Sequence, residues 1–242
     1  MLWFEEWFDS PYYHELYCNR DEKEAEAFIA RLAQRLVMPI KANVLDAACG
    51  KGRHARTLAK LGFKVTGIDL SKNSIAYAKQ FENECLKFDV CDIRTPYCSN
   101  CFDYVFNLFS SFGYFEEVVE DEKCIAAFSQ CLKPGGTLVI DYINSEYAVK
   151  QMKPREIVQR QKTQFHIQKR LENGFIKKRI EFLSDGVDYM FEEQLKMINR
   201  HRFEVMLKAN GLNLIDVFGD YDLNEFNAAL SPRLILIAQK TD

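Results

Sequence analysis

The chain has 242 residues, 48% hydrophobic and 28% charged, with a net charge of −3, which suits one large α/β domain or a domain carrying an insertion. Eleven Gly and six Pro are too few for a collagen-like or low-complexity chain, and no global positive field offers itself to nucleic acid. No apolar run approaches the roughly 20 residues of a membrane span, and Met1-Leu2-Trp3-Phe4-Glu5-Glu6 lacks the basic and apolar regions of a signal peptide, so a soluble, cytoplasmic protein is expected.

The first stretch is aromatic: Trp3, Phe4, Trp7, Phe8, Tyr12, Tyr13 and Tyr17. Asp21-Glu22-Lys23-Glu24 has the form of a capping box. The helix it opens buries Phe28, Ile29, Leu32 and Leu36 and stops before Pro39. From Asn43 short apolar runs alternate with amphipathic segments. Val44–Ala48 reads as a buried strand, Arg53–Leu61 as a helix stopped by Gly62, and Phe63–Asp69 as the next strand. Ser71 caps a helix running to about Glu82. Cys85–Val90 and Phe102–Asn107 read as strands, Glu120–Leu132 as a helix, Lys133–Gly136 as a turn and Thr137–Tyr142 as a strand. Such alternation implies a doubly wound, mostly parallel sheet with right-handed crossovers.

Around Lys153 the alternation stops. Glu156–Leu171 and Phe175–Leu183 each alternate in strand fashion around Glu172-Asn173-Gly174, a hairpin signal. Ser184-Asp185-Gly186 then turns into Val187–Ile198. This reads as an antiparallel β insertion before the penultimate helix, His201–Ala209, and strands Leu212–Phe218 and Leu234–Gln239 close the chain. The expected organisation is one domain: an arm and helix over 1–41, a core over 42–150, the insertion over 151–199 and the closing elements over 200–242.

The eight Cys are scattered apart from Cys98 and Cys101, which lie in a polar connection. A zinc site would need a second such pair, and His14, His54, His166 and His201 do not supply it. Small buried thiols and a loop pair are expected, with no metal.

Asp46-Ala47-Ala48-Cys49-Gly50-Lys51-Gly52 joins the first strand to the first crossover helix. Two Gly at i and i+2 allow a tight turn and a ligand lying on bare amides. Gly50-x-Gly52-x-x-Ala55 satisfies the dinucleotide fingerprint, and Asp69 stands where a ribose-binding acid would. A nicotinamide or flavin enzyme therefore competes with an enzyme using another nucleoside cofactor. Asp46 discriminates between them. A carboxylate at that strand end repels a pyrophosphate and suits a ligand carrying an ammonium or sulfonium.

Val44–Gly52 resembles motif I of the class I S-adenosylmethionine-dependent methyltransferases, and Val65–Ser71 their second motif. Asp89–Ile93, Phe102–Asn107 and Leu132–Leu138 resemble the following three, in order. The resemblance implies a Rossmann-like seven-stranded sheet and S-adenosylmethionine as cofactor. It implies Asp69 on the ribose hydroxyls and Asp92 on the adenine amino group. Cofactor contacts are expected from Ala47, Ala48, Cys49, Gly50, Gly52, Leu70, Ser71, Ile93, Asn107 and Leu108 as well as Asp46. Ala48 departs from the pattern, since most members carry Gly there.

The insertion resembles the acceptor-covering subdomain of small-molecule methyltransferases such as sugar-amine and glycine N-methyltransferases, and the aromatic arm resembles the segment closing over their cofactor. In those enzymes a Tyr approaches the sulfonium and an Arg pairs with the methionine carboxylate, which here implies Tyr13 and Arg20. The segment after strand four, Asn107–Phe115, lacks the signatures of DNA and RNA base methyltransferases, and Lys177-Lys178-Arg179 reads as a solvated strand face. The expected reaction is in-line methyl transfer to a nitrogen or oxygen of a small polar metabolite. A hydroxyl acceptor requires a general base. Tyr13, His14, Asp141 and Tyr142 at the sheet edge and His166 in the insertion are candidates, and no spacing singles one out. The alternatives are a non-catalytic S-adenosylmethionine-binding protein and an RNA or protein methyltransferase. Oligomeric state is not legible.

Overall fold

The computed structural model describes residues 3–18 and 22–241. The capping-box Asp21 and the proposed carboxylate ligand Arg20 lie outside the described residues.

The aromatic stretch forms two short helices, α1 (Trp3–Asp9) and α2 (Pro11–Leu16), followed by α3 (Glu22–Arg35). Phe28, Ile29 and Leu32 of α3 are fully buried, as their spacing requires. The alternating region then gives β1 (Asn43–Ala47), α4 (Arg53–Lys60), β2 (Lys64–Asp69) and α5 (Lys72–Ala78). Ser71 caps α5, its Oγ accepting the Ser74 N–H at 3.0 Å. The helix ends sooner than expected, in a 3₁₀ turn over Lys79–Phe81. β3 (Leu86–Val90), β4 (Phe102–Asn107), α6 (Val118–Cys131), β5 (Leu132–Ile143) and α7 (Ser145–Lys150) complete the core.

The expected turn at Lys133–Gly136 lies inside β5. Phe102 pairs with Leu132 but Tyr104 with Thr137, so these residues bulge from the ladder. Cys98 and Cys101 are bonded to each other in the loop before β4.

The insertion comprises β6 (Arg155–Arg160), β7 (Thr163–Glu172), β8 (Phe175–Ser184) and β9 (Val187–Lys196). The span read as one strand over 156–171 is a hairpin, turned at Gln161, which takes φ 40°. Neither Gly nor Pro marks that turn. α8 (Arg200–Ala209), β10 (Leu212–Phe218) and β11 (Arg233–Lys240) end the chain.

The seven-stranded sheet has the order β10-β11-β5-β4-β1-β2-β3, and the insertion is a four-stranded antiparallel sheet in chain order. β3-β2-β1-β4-β5 pair in parallel, whereas β11 runs antiparallel to both β5 and β10. Strand order reverses between β1 and β4, leaving a crevice at their carboxyl ends. The period-2 alternation of strands divides the core between the two faces. Leu45, Leu234 and Leu236 pack on one side with α6 and α8, while Val44, Ile235 and Ile237 pack on the other with α3 and α4. A third cluster joins Trp7 and Leu16 of the arm to Phe165, Ile167, Ile180 and Phe182 of the insertion.

The basic run on β8 is not uniformly solvated. Lys177 and Arg179 face outward, pairing with Glu172 and Glu181, but Lys178 faces the arm with 13% of its side chain exposed. Among the described residues no helix is long and apolar enough to cross a membrane.

Candidate active site

A cavity of about 470 Å³ opens at the carboxyl ends of β1 to β4, under the N-terminal arm. A smaller one of about 250 Å³ lies along β10 and touches none of the glycine-loop residues.

The loop after β1 is built from left-handed residues: Ala48 at φ 63°, Gly50 at 54° and Gly52 at 78°. The two glycines serve different ends. A Cβ on Gly50 would meet nothing within 4 Å, and Gly50 lines the cavity. A Cβ on Gly52 would lie 2.5 Å from the buried Phe88 ring of β3, so Gly52 permits close packing of α4 on the sheet and is not part of the cavity wall. Nor is the Gly50 amide bare. It donates to Asp69 Oδ2 at 2.8 Å, while Asp69 Oδ1 accepts the Ser71 N–H at 2.8 Å. Asp69 lines the cavity and joins the loops after β1 and β2. Burial pushes its carboxyl pKa up, against those two hydrogen bonds.

Asp46 and Asn107 sit behind this wall, at the ends of β1 and β4. Asp46 is 1% exposed, and burial, opposed by the Ala55 backbone hydrogen bond, pushes its carboxyl up to about 7. Asn107 Nδ2 donates to the carbonyls of Ala47 and Ser111, tying β1 to the loop after β4. Asp46 Oδ2 and Asn107 Oδ1 are buried acceptors with no hydrogen-bond partner, an arrangement that costs free energy unless a donor or cation arrives.

Asp92 lines the cavity at the end of β3 and is gripped by Arg94, whose Nε lies 3.1 and 3.0 Å from its two oxygens. Burial alone would raise the Asp92 pKa, but the hydrogen bonds and charge of Arg94 hold it below the usual carboxylate range. Asp92 therefore stays ionised, an acceptor with a fixed orientation.

The loop after β4 is strained, with Phe109 at φ 58° and Ser110 at 59°. Asp141 holds it there: its Oδ2 accepts the Phe109 N–H at 2.8 Å, and its carbonyl accepts that of Ser110. Arg233 of β11 completes the clamp, donating to Asp141 Oδ1 at 2.7 Å and to Ser110 Oγ at 3.0 Å. Phe109 so placed stacks on His54 of α4 and on Tyr221.

The arm covers the opening. Tyr13 and His14 of α2 line the cavity with Tyr17, Phe4 and Phe8, facing Tyr114 and Phe115 from the loop after β4. Asp9 anchors the arm on the core, accepting from Ser71 Oγ and from Asn73 Nδ2. Glu193 anchors it on the insertion, accepting from Trp7 Nε1 and Tyr17 Oη.

Of the residues expected at the site, Tyr13, Ala48, Cys49, Gly50, Asp69, Leu70, Ser71, Asp92, Ile93 and Leu108 line this cavity. Asp46, Ala47, Gly52 and Asn107 do not reach its wall and support it from behind. Three candidate bases are placed elsewhere. Asp141 is fully buried on Arg233, Tyr142 is fully buried and donates to the Lys196 carbonyl, and His166 lies on the exposed face of β7, opposite the buried Phe165 and Ile167. Sequence reasoning did not single out His54, Tyr77, Phe109, Ser111 or Tyr114, all of which line the cavity. His54 follows the glycine loop, and Phe109, Ser111 and Tyr114 follow β4, which was the available signal; Tyr77, on α5, carried none.

A methyltransferase domain family model matches residues 41–208. The chain is 30% identical over 219 residues to the putative methyltransferase YqeM of Bacillus subtilis, covering 84% of this chain and 86% of that one. It is 31% identical over 105 residues to a dTDP-3-amino-3,4,6-trideoxy-alpha-D-glucopyranose N,N-dimethyltransferase of Streptomyces venezuelae, a match spanning 43% of either chain and so less than half that enzyme's length. Among solved structures, a S-adenosylmethionine-dependent methyltransferase from Clostridium acetobutylicum superposes with a TM-score of 0.80 at 20% identity, over 96% of both chains. The chain belongs to the methyltransferase domain family, with the fold of its class I S-adenosylmethionine-dependent members.

Proposed function

We propose that the chain transfers a methyl group from S-adenosylmethionine to a nitrogen or oxygen of a small polar metabolite, with arm, core, insertion and closing elements acting as one domain. The observation that carries this reading is the cavity at the β1–β4 crevice, walled by Asp69 and roofed by the aromatic arm. The residues present fit this cofactor. Gly50 opens on the cavity, Asp69 and Asp92 present carboxylates at its wall, and Asp46 sets a further carboxylate with a partnerless oxygen just behind it, a negative surround matched to a cationic ligand. S-adenosylmethionine supplies a methyl group already activated on a sulfonium.

In this reading Ala48, Cys49 and Gly50 hold the methionine portion, Asp69 the ribose and Asp92 the adenine side, with Leu70, Ser71, Ile93 and Leu108 forming the pocket between them. Tyr13 and the aromatic roof exclude water and hold the acceptor in line, a positioning effect worth up to roughly 7–11 kcal/mol. Tyr13 and His14 remain the candidate proton acceptors, since both line the cavity. The cavity volume falls within the range of small-molecule sites, as a pocket for the cofactor requires. The sugar-amine dimethyltransferase relative points to a small-metabolite acceptor.

The test is homocysteine release, through a coupling hydrolase, across a panel of amines and hydroxylated metabolites. Turnover with a member of the panel supports the proposal. Calorimetric binding of S-adenosylmethionine with silence across the panel favours a non-catalytic binder.

A further inference from the structure

We propose that Glu193, on insertion strand β9, is a positioning residue that sets the wall of the methyl-transfer cavity by fixing the arm in its closed place. This rests on the cofactor reading given above. Glu193 lies outside the cavity wall, yet its carboxylate gathers the arm. Trp7 Nε1 donates to Oε1, and Tyr17 Oη lies 2.8 Å from both oxygens. Lys178, from the adjacent strand, lies 3.4 Å from Oε2, donates to Tyr17 Oη and sits 4.6 Å from the Tyr17 ring centroid. Trp7 also packs on Phe191, two residues earlier on β9.

These contacts matter because the same arm residues pack on the cavity wall. Tyr17 lines the cavity, and Trp7 packs edge-on against Tyr13, another lining residue. The carboxylate is 18% exposed and Lys178 13%, so the group is a partly desolvated polar cluster between two apolar surfaces. Charge-assisted hydrogen bonds in such a setting are directional and stronger than their neutral counterparts. The apolar contacts attach the arm, and Glu193 decides where it rests. The insertion thereby acts on the cofactor site without touching it.

The chain's two Trp, Trp3 and Trp7, both belong to the arm, so intrinsic fluorescence reports its position. The test compares Glu193→Gln, Glu193→Asp and Tyr17→Phe with Glu192→Gln, whose carboxylate pairs with Arg170 on the outer face. Circular dichroism and thermal melts check folding, and calorimetry and stopped flow follow S-adenosylmethionine. Glu193→Gln is expected to red-shift the Trp emission, weaken the cofactor at least about tenfold through faster release, and leave the far-ultraviolet spectrum intact. Glu193→Asp should recover part of the affinity, Tyr17→Phe should show a smaller loss in the same direction, and Glu192→Gln should match the native chain. Cofactor affinity within twofold of native in folded Glu193→Gln and Tyr17→Phe variants overturns the proposal, as does an equal loss in Glu192→Gln. Native protein that does not bind S-adenosylmethionine defeats the cofactor reading instead, a separate outcome.

Discussion

The carboxylate of Asp69 accepts the backbone N–H of Gly50 at 2.8 Å, closing the gap between the loops that follow β1 and β2. Its other oxygen accepts the Ser71 N–H at the same distance. The residue proposed to bind ribose thus also holds the glycine loop against the second strand. Asp69→Ala should therefore do two things. It should weaken S-adenosylmethionine by at least about tenfold, since each charge-assisted bond is worth about 1.5–3 kcal/mol. It should also lower the unfolding free energy of the cofactor-free chain by about 0.5–1.5 kcal/mol, because two part-buried amides lose their partner. Titration calorimetry and denaturant melts on one variant measure both. A destabilised chain with native affinity would remove Asp69 from the ligand.

Gly50 and Gly52 provide a contrast two residues apart. Gly50→Ala places its methyl in open cavity space at φ 54°, and should leave a folded chain with reduced cofactor affinity that loses only the roughly 1–2 kcal/mol of left-handed strain. Gly52→Ala drives a methyl into the fully buried Phe88 ring at φ 78°, and should cost about 2–4 kcal/mol of stability through overpacking and backbone strain. Adding Phe88→Leu to Gly52→Ala should recover part of that loss in a thermal melt. If Gly52→Ala melted like the native chain, the packing role would be wrong.

The core was legible because its strands are covered on both faces. Leu234-Ile235-Leu236-Ile237 is a continuous apolar run for which no solvent-facing alternative exists, and Ser71 is a cap recognisable from its own neighbourhood. What was not legible depends on contacts between distant residues. Asp141 looks like a candidate base until Arg233, 92 residues later, is seen on its carboxylate. Lys178 looks solvated within a basic run until the arm is folded over that face of β8, where Trp7 and Tyr17 reach Glu193. The hairpin at Gln161 escaped for a local reason: a left-handed residue other than Gly, Asn or Asp leaves no compositional mark.

Ala48 is the loop residue at which most family members carry Gly, and its φ of 63° explains why Gly is the easier choice. Left-handed backbone costs an L-residue roughly 1–2 kcal/mol, whereas Gly adds only about 0.4–1 kcal/mol of unfolded-state entropy. Ala48→Gly should therefore stabilise the cofactor-free chain by about 0.5–1 kcal/mol. The check is the denaturant midpoint, and a lower midpoint would show that the Ala48 methyl makes contacts outweighing the strain.

Asp46 yields a prediction about pH. Its carboxyl is raised from 3.8 to about 7 by burial and, to a lesser degree, by the Asp69 charge, with the Ala55 hydrogen bond and Arg53 opposing. The folded chain therefore keeps a proton that the unfolded chain releases, and Asp46 removes stability as pH rises between about 4 and 7. Asp46→Asn lacks that proton. The stability of the variant relative to the native chain should climb through this window by on the order of 2–4 kcal/mol and level off above it. Denaturant melts at a series of pH values read the difference directly, and parallel curves would mean that Asp46 ionises normally. A cofactor carrying positive charge favours the ionised carboxylate. Affinity of the native chain for S-adenosylmethionine should accordingly rise towards pH 7 more steeply than that of the Asn variant, in which the raised Asp69 carboxyl at the cavity wall still titrates. Equal slopes in the two chains would separate Asp46 from the charge of the ligand and leave it a purely structural acid.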